Sequence, residues 1–451
     1  MRFKSVKLRA EITVFLTLLF SIMSALTLTV IESARNQATR IQVERVMQTA
    51  IHSCFSEYNQ DLLTYYELFA IDSSYRRESG DVESIREHLK DYANANFKSD
   101  EADDYSDWLE LSTEDVVLNQ YELISDRDGG PMRAQIAEYM SGNGPYPGIS
   151  KLTATGNYMK CRDDSAFISG FADALEHVGD IESNPAQTIF NIAISGDILS
   201  YVTPDGYNFL NVSSDCASKR MLKKGTCSGG REETMDELLF NSYISDRFSN
   251  CLNPSDHSYM QAEREYIIAG NLSEADCIRE CASWLLAQRE DKNLPAMETN
   301  EEVLYETEEL SILLCGEEGE KQYYVQRSLI YAWTYVESLL EVCRVYNGGA
   351  VDISSGIDSP RIPLEEILDF EAYLDTQGGY GMDYDSILAG MAMNVDSVTK
   401  LKRCMDIMEM NMRYLGHAGF RIDGCVTYFK AHMNVRSEYG HDCEITREYG
   451  Y

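Results

Sequence analysis

The amino-terminal part of this 451-residue chain lacks the residues that interrupt helices. Glycine does not occur before Gly80, and proline does not occur before Pro131. Proline removes a backbone donor and glycine is the commonest residue just past a helix end, so nothing before about residue 70 demands a break. The sequence therefore predicts one helix that runs from the amino terminus into the aqueous part of the protein.

A second absence is that of charge. The 20 residues from Ile12 to Ile31 contain no Asp, Glu, Lys, Arg, His, Pro or Gly, and a helix of about 20 apolar residues spans the hydrocarbon core of a bilayer. The run is longer than the apolar region of a cleaved signal sequence, and Glu32 follows it where such a signal needs small residues. We predict a transmembrane helix over residues 12–31.

The flanks of this helix set its expected orientation. Arg2, Lys4, Lys7 and Arg9 precede it, and basic residues there favour the cytoplasmic side. We therefore expect a single-pass cell-membrane protein with a cytoplasmic amino terminus and an extracellular carboxy-terminal head, which could also reach a surface filament. The net charge of −35 argues against nucleic acid or an anionic membrane face as a partner of that head.

The sequence also lacks the spaced motifs of common active sites. It contains no glycine-rich phosphate loop, no His-Glu-x-x-His, no Gly-x-Ser-x-Gly and no Cys-x-x-Cys. The stretches DSSYR at Asp72 and DISSG at Asp352 are incomplete versions of a metal-dependent adhesion motif. Four further residues have a spacing that suits zinc poorly: Cys425, His432, His441 and Cys443. We expect no enzyme activity and no catalytic, cofactor or metal site.

The 12 cysteines lie between Cys54 and Cys443, too far apart for a small disulfide-stapled domain. We interpret most of them as small buried apolar residues. Cys216 and Cys227 flank the loop CASKRMLKKGTC and are the best pair for a disulfide. Two free thiols at these positions are an equal alternative.

The remaining patterns predict an α+β fold, in which a long amino-terminal helix carries a helix-rich head with an antiparallel sheet. The expected parts are a basic leader (1–11), the transmembrane helix (12–31), a stalk helix (32–72), an irregular β-containing part of the head (73–230), and a helix-rich part ending in strands (231–451).

Three local predictions accompany this division. An apolar stripe should dock the stalk on the head, and it consists of Val43, Met47, Ala50, Cys54, Tyr58 and Leu62. The stretch TIFNIAISGDILSYVTPDGYNFLNV should contain two strands. Two near-heptad seams, residues 325–343 and 398–415, could pack as an antiparallel pair of helices.

Small residues recur at every fourth position inside the transmembrane helix: Thr13, Thr17, Ser21, Ala25 and Thr29. Lipid offers helices no hydrophobic reason to associate, so close approach depends on small side chains at the contact. The alternative is that the hydroxyl groups bond back to their own helix. We interpret the five positions as a helix-packing stripe.

Several stretches together resemble a known group of proteins. They are EITVFLTLLFSIMSALTLTVIESAR with FSEYNQDLLTYYELFAIDSSY, then LLFNSYISDRF, EYIIAGNLSEADCIRE, SLIYAWTYVESLLEV, GMDYDSILAGM and RCMDIMEMNMR. Over nearly its whole length the chain resembles an uncharacterised Gram-positive family similar to the TadE/TadG-like pseudopilins of tight-adherence (Flp) pilus clusters. This implies a non-enzymatic, pilin-like component of a Tad/Flp-type type IV pilus or related secretion system.

The resemblance also implies partners: other pilin-like subunits, inner-membrane platform proteins and a prepilin peptidase. Two features depart from it. Ala10 stands before Glu11 at the implied processing site, where glycine is usual, and Phe15 takes the fifth mature position, where glutamate is usual. The second departure concerns a domain: TadG-type partners often carry a von Willebrand-like domain with a complete metal motif, and this chain has no complete motif of that kind. The main alternative is a membrane-tethered extracellular enzyme or ligand-binding protein.

Overall fold

The computed structural model describes residues 3–97, 110–143, 165–179, 181, 183–203, 206–227, 236–317, 319–375, 378–437, 440 and 442–451, with the backbone alone for residues 3–11, 143 and 165. The helices are α1 Phe3–Phe55, α2 Gln60–Tyr66, α3 Val82–Phe97, α4 Asp126–Asn143, α5 Ser165–Glu176, α6 Pro185–Ser195, α7 Leu199–Val202, α8 Glu237–Arg247, α9 Glu263–Ala269, α10 Glu274–Thr299, α11 Glu301–Cys315, α12 Gly319–Tyr346, α13 Tyr384–Ala392 and α14 Ser397–Tyr414. The strands are β1 Ile71–Asp72, β2 Leu111–Leu123, β3 Cys425–Ser437 and β4 Asp442–Gly450.

Helix α1 has 53 residues and is therefore about 80 Å long. Its apolar part is long enough to cross a membrane and is not buried against the rest of the protein. From Thr39 onward one face becomes buried, and Val43, Met47, Ala50 and Cys54 are fully covered. The structure confirms the long amino-terminal helix and the docking of its apolar stripe as far as Cys54, whereas Tyr58 and Leu62 lie beyond the end of the helix.

The helix ends earlier than the predicted stalk, which extended to residue 72. It stops at Phe55, Tyr58 forms a bridge with Ile71, and the side chain of Asn59 accepts a hydrogen bond from Leu62 N at 3.0 Å to start α2. The fully buried Leu62 belongs to a different apolar cluster from the α1 stripe. The chain turns after Phe55 because its next apolar residues are buried at a different place in the head.

The sheet is antiparallel and is built around β3. Strand β2 pairs along one edge of β3, whereas β1 and β4 pair in succession along the other edge. Apolar side chains of one face, such as Phe429 and Met433, pack with α1 and α3 in one buried cluster. The two predicted carboxy-terminal strands and the α+β class are confirmed.

Helix α12 is the central helix of the head. Its residues 328–346 are all buried, because α5, α6, α10 and α11 pack around it. Helix α14 instead lies in a second cluster with α2, α4, α8 and α9. The two predicted seams therefore belong to separate cores and do not form an antiparallel pair, since other helices already occupy the surface of α12.

The strand pair predicted near residues 188–212 is replaced by helices α6 and α7. Asn184 caps α6 by accepting a hydrogen bond from Ala186 N at 3.0 Å, and Pro185 occupies the first helical position. Both are local helix-start signals. Packing of Ala186 and Ile189 into the cluster around α12 then overrides the β propensity of the isoleucines.

Candidate functional site

The predicted packing stripe lies on the exposed part of α1. All five of its side chains are exposed. The hydroxyl of Thr17 donates to Val14 O at 2.9 Å, and that of Thr29 donates to Ala25 O at 2.8 Å. These two hydroxyl groups are thus satisfied within their own helix, so they present mainly a small apolar contour to a neighbour. The use of the stripe stays a prediction.

The predicted processing site and the predicted disulfide pair lie outside this stripe. Ala10 and Glu11 fall within α1, and their side chains lie outside the described residues. Cys216 is buried and Cys227 is half-buried, and both are free thiols. The two residues are not bridged in this structure, and the disulfide stays a prediction. Burial raises the pKa of both thiols, which keeps them protonated and poorly reactive.

Helix α12 carries charged residues that the sequence prediction overlooked. Glu337, Glu341 and Arg344 are spaced by four and three residues, so they share one face of the helix. They are 0%, 4% and 8% exposed. The sequence does contain a signal for these residues, because they interrupt an apolar seam that should be buried. Charged side chains are almost never fully buried without a partner, so their positions predict a buried polar interface.

Arg289 of α10 meets Glu341 across the interface between α10 and α12. Its Nε donates to Glu341 Oε2 at 2.7 Å, and its terminal nitrogens donate to Asn293 Oδ1 and to the carbonyl oxygens of Asp352 and Ser355 at 2.8–3.1 Å. All the donor groups of this guanidinium are therefore used. Asn293 Nδ2 also donates to Glu341 Oε2 at 2.8 Å, so the carboxylate is held from two sides.

The loop of residues 350–362 is fixed on this polar interface. Glu337 Oε1 accepts hydrogen bonds from Arg361 N at 2.5 Å and Ile362 N at 2.9 Å. Burial raises the pKa of Glu337. Glycine is required where the loop lies against α10, because a Cβ on Gly356 would stand 2.3 Å from Lys292 O. Helix α12 thus positions the loop through carboxylates as well as apolar contacts.

The two incomplete adhesion motifs form turns. Asp352 Oδ1 accepts from the backbone N and the hydroxyl of Ser354 at 2.9 and 2.6 Å, and these hydrogen bonds lower the pKa of the carboxyl group. Asp72 Oδ1 accepts from Ser74 N at 2.9 Å. Among the residues that the structure describes, no group of His, Cys, Asp or Glu could hold a metal ion.

A cavity of about 250 Å³ opens between α10, α12 and the 350–362 loop. Its walls include Arg289, Arg344, Arg361, Asp352, Ile357 and Tyr380. Arg361 Nη2 lies 3.5 Å from Glu341 Oε1, so this one carboxylate is shared by two guanidinium groups. Three arginines therefore line one small cavity, and two of them, Arg289 and Arg361, form ion pairs with Glu341.

A second polar network, at the start of α9, has a structural role. Glu263 accepts hydrogen bonds from Ser249 N at 2.7 Å and Asn411 Nδ2 at 2.6 Å, and Glu265 accepts from Cys251 N at 3.0 Å. Burial raises the pKa of both carboxyl groups. These side chains hold the segment before α9 in place and present no reactive group to an opening.

The structure thus defines a protein with one apolar amino-terminal helix of membrane-spanning length and an α+β head. The chain belongs to a family of unknown function, DUF5702, whose model matches residues 176–437, more than half of its length. No curated protein and no solved structure matches the chain. The cavity lies entirely within the matched residues, whereas α1 lies outside them.

Proposed function

We propose that this protein is a non-enzymatic, single-pass, pilin-like subunit of a tight-adherence pilus or a related secretion machine. In this proposal its amino terminus is cytoplasmic and its head is extracellular. Helix α1 is the observation that carries the proposal. It continues without a break from an exposed apolar segment to a segment that packs on the sheet of the head, and such a membrane helix with a stalk and an outer head is the layout of pilin-like subunits.

The exposed stripe of α1 would be the contact with other subunits or with the platform proteins. Positions four residues apart follow a ridge that is inclined to the helix axis, and small residues on such a ridge allow two helices to cross closely at about −40°. Basic residues before the span would hold the leader in the cytoplasm. Processing between Ala10 and Glu11 by a prepilin peptidase would be needed before the subunit could leave the membrane.

Co-purification from membranes tests the role of the stripe. Ser21→Leu and Ala25→Leu should each abolish recovery of partner subunits and leave membrane insertion intact, because leucine is favourable in lipid but prevents close helix approach. Met23→Leu is the matched control: Met23 is also exposed, at 56%, and lies on roughly the opposite face of the helix. Equal recovery of partners by all three variants would reduce α1 to an anchor.

The second candidate function is a membrane-tethered ligand-binding protein. The cavity beside α12 favours it, because arginines converge there on a space large enough for a small molecule. Loss of partner recovery in the stripe variants supports the subunit function. Unchanged recovery, together with ligand binding by the head, supports this alternative.

A further inference from the structure

Arg344 differs from the other two arginines of the cavity in having no counter-charge. Arg289 and Arg361 both pair with Glu341. Arg344 is 8% exposed and lines the cavity, and its guanidinium has no hydrogen-bond or ion-pair partner among the residues that the structure describes. None of its nitrogens is among the fully buried atoms that lack a partner, so the guanidinium of this largely buried residue is reached from the cavity.

Two of the neighbouring carboxyl groups already accept hydrogen bonds from the loop. Glu337 accepts the two backbone N–H groups of the loop, and Asp352 accepts from Ser354 and from the hydroxyl of Ser355 at 3.0 Å. The side-chain stem of Arg344 is also fixed, since its Cγ and Cδ lie close to Gly349 and Gly379. The packed stem therefore holds the guanidinium at the wall of the cavity.

We propose that this cavity is a binding site for a small oxyanion, the carboxylate or phosphate group of a soluble ligand, with Arg344 as its main contact. A guanidinium offers a planar fork of donors that matches the two oxygens of either group. Arg361 lies on the same cavity wall and supplies a second positive charge. The proposal does not depend on the pilin-like function.

The walls also limit the size and charge of the ligand. The space of about 250 Å³ holds an acid group with a small organic part, which could lie against Ile357 and the exposed ring of Tyr380. Asp352 and Asp358 line the same cavity and would repel a polyanion. The site therefore fits a small acid and excludes nucleic acids and other highly charged polymers.

Binding measurements on the detergent-solubilised full chain test the proposal. Inorganic phosphate and succinate are the probes, titrated separately at constant ionic strength set with chloride, and followed by calorimetry and by the melting temperature. We expect saturable binding of at least one probe, with a rise in melting temperature, because a ligand that binds only the folded state stabilises it. The probe that binds distinguishes a phosphate ligand from a carboxylate ligand.

Arg344→Gln is the decisive variant. It should weaken binding by about 10- to 100-fold, the range expected for losing hydrogen bonds to a charged group. Without anions it should melt at or above the wild-type temperature, because the unpaired charge has been removed. Arg279→Gln, at an exposed arginine of α10, is the control and should bind as the wild type does.

Arg361→Gln gives an independent reading should Arg344→Gln fold poorly. It keeps the buried pair of Arg289 with Glu341 and should also weaken binding of the same probe. The proposal is overturned if neither probe binds saturably to the wild type, or if both arginine variants bind with wild-type affinity. A lower melting temperature of Arg344→Gln in anion-free buffer, together with wild-type affinity of Arg361→Gln for the probe, would show a purely structural role.

Discussion

Arg289 of α10 and Arg344 of α12 are the same residue type in two different environments. Both side chains are nearly fully buried. Arg289 uses every donor on Glu341, Asn293 and loop carbonyl groups, so it holds α10, α12 and the loop together. Arg344 has no such partner within the described part of the chain. The fully bonded Arg289 is typical of an arginine that stabilises the fold, whereas the arrangement of Arg344 is typical of an arginine that binds a ligand.

Arg289→Met tests the structural role. We expect it to lower the free energy of unfolding by about 3 kcal/mol, because the buried Glu341 keeps only Asn293 and the more distant Arg361, and two loop carbonyls lose their donor. Urea unfolding of the full chain in detergent measures the change.

The matched control for this variant is Arg279→Met in the same helix. Arg279 pairs with Asp197 and Asp276, but its side chain is 39% exposed. An exposed ion pair contributes at most about 1 kcal/mol. Similar losses in the two variants would show that burial of the Arg289 network adds no stability.

At the scale of elements, α1 joins an apolar segment of membrane-spanning length to the head. Its apolar stripe packs on α3 and on the sheet, and Phe55 stacks on Phe429 with ring centroids 4.8 Å apart. Contacts of this kind make the last third of α1, from about Thr39 to Phe55, part of the head core. The apolar segment before it is not buried against the rest of the protein, so the two ends of the helix have different surroundings.

Met47→Ala tests the contribution of this docking. The side chain is fully buried, and truncation of a buried methionine should cost roughly 2–5 kcal/mol of unfolding free energy through lost burial and a residual cavity. Ile41→Ala, at a position 52% exposed on the same helix, should change stability by no more than about 0.5 kcal/mol. Denaturant unfolding compares the two, and equal effects would mean that α1 does not depend on the head for its packing.

At the scale of the whole molecule, the charge balance predicts how stability depends on pH. The net charge is −35, and burial raises the pKa of several carboxyl groups: Glu263, Glu265, Glu337 and Glu409. The folded protein keeps protons on these groups to a higher pH than the unfolded chain does. Their contribution to stability is full below about pH 4.3 and is lost as the pH rises through the folded pKa values.

We therefore expect the free energy of unfolding to fall between about pH 5 and about pH 8, because the unfolded chain binds fewer protons over this range. His257 acts in the opposite direction, since burial lowers its pKa, but it is one group against six, because burial also raises the pKa of Asp72 and Glu306. The carboxyl groups with lowered pKa, such as Asp352 and Glu448, matter only at lower pH.

Urea unfolding at a series of pH values measures this dependence. Glu265→Gln should flatten it, because one of the buried acids no longer titrates. Glu448→Gln removes an exposed acid and should run parallel to the wild type. A stability that increases from about pH 5 to about pH 8 would contradict the expected direction.

The sequence by itself determined the features that depend on local patterns. Three such patterns can be recognised without knowing the rest of the fold. They are an uncharged run of membrane length, a segment without glycine or proline, and an apolar stripe that repeats every three to four residues. They predicted α1 and its docking surface. The tail from residue 420 onward has strand-like alternation, which likewise predicted strands at the carboxy-terminal end, because side chains of a strand face opposite sides in turn.

Only the tertiary structure decided which helices share a core and where charges are buried. The isoleucines of α6 favour a strand locally, but burial of Ile189 in the cluster around α12 requires a helix. The seams of α12 and α14 have similar patterns, yet each packs with different partners because an apolar stripe does not specify its neighbour. The cavity depends on Arg289, Arg344 and Arg361 from three separate segments. Their convergence arises from long-range packing, which no local spacing in the sequence records.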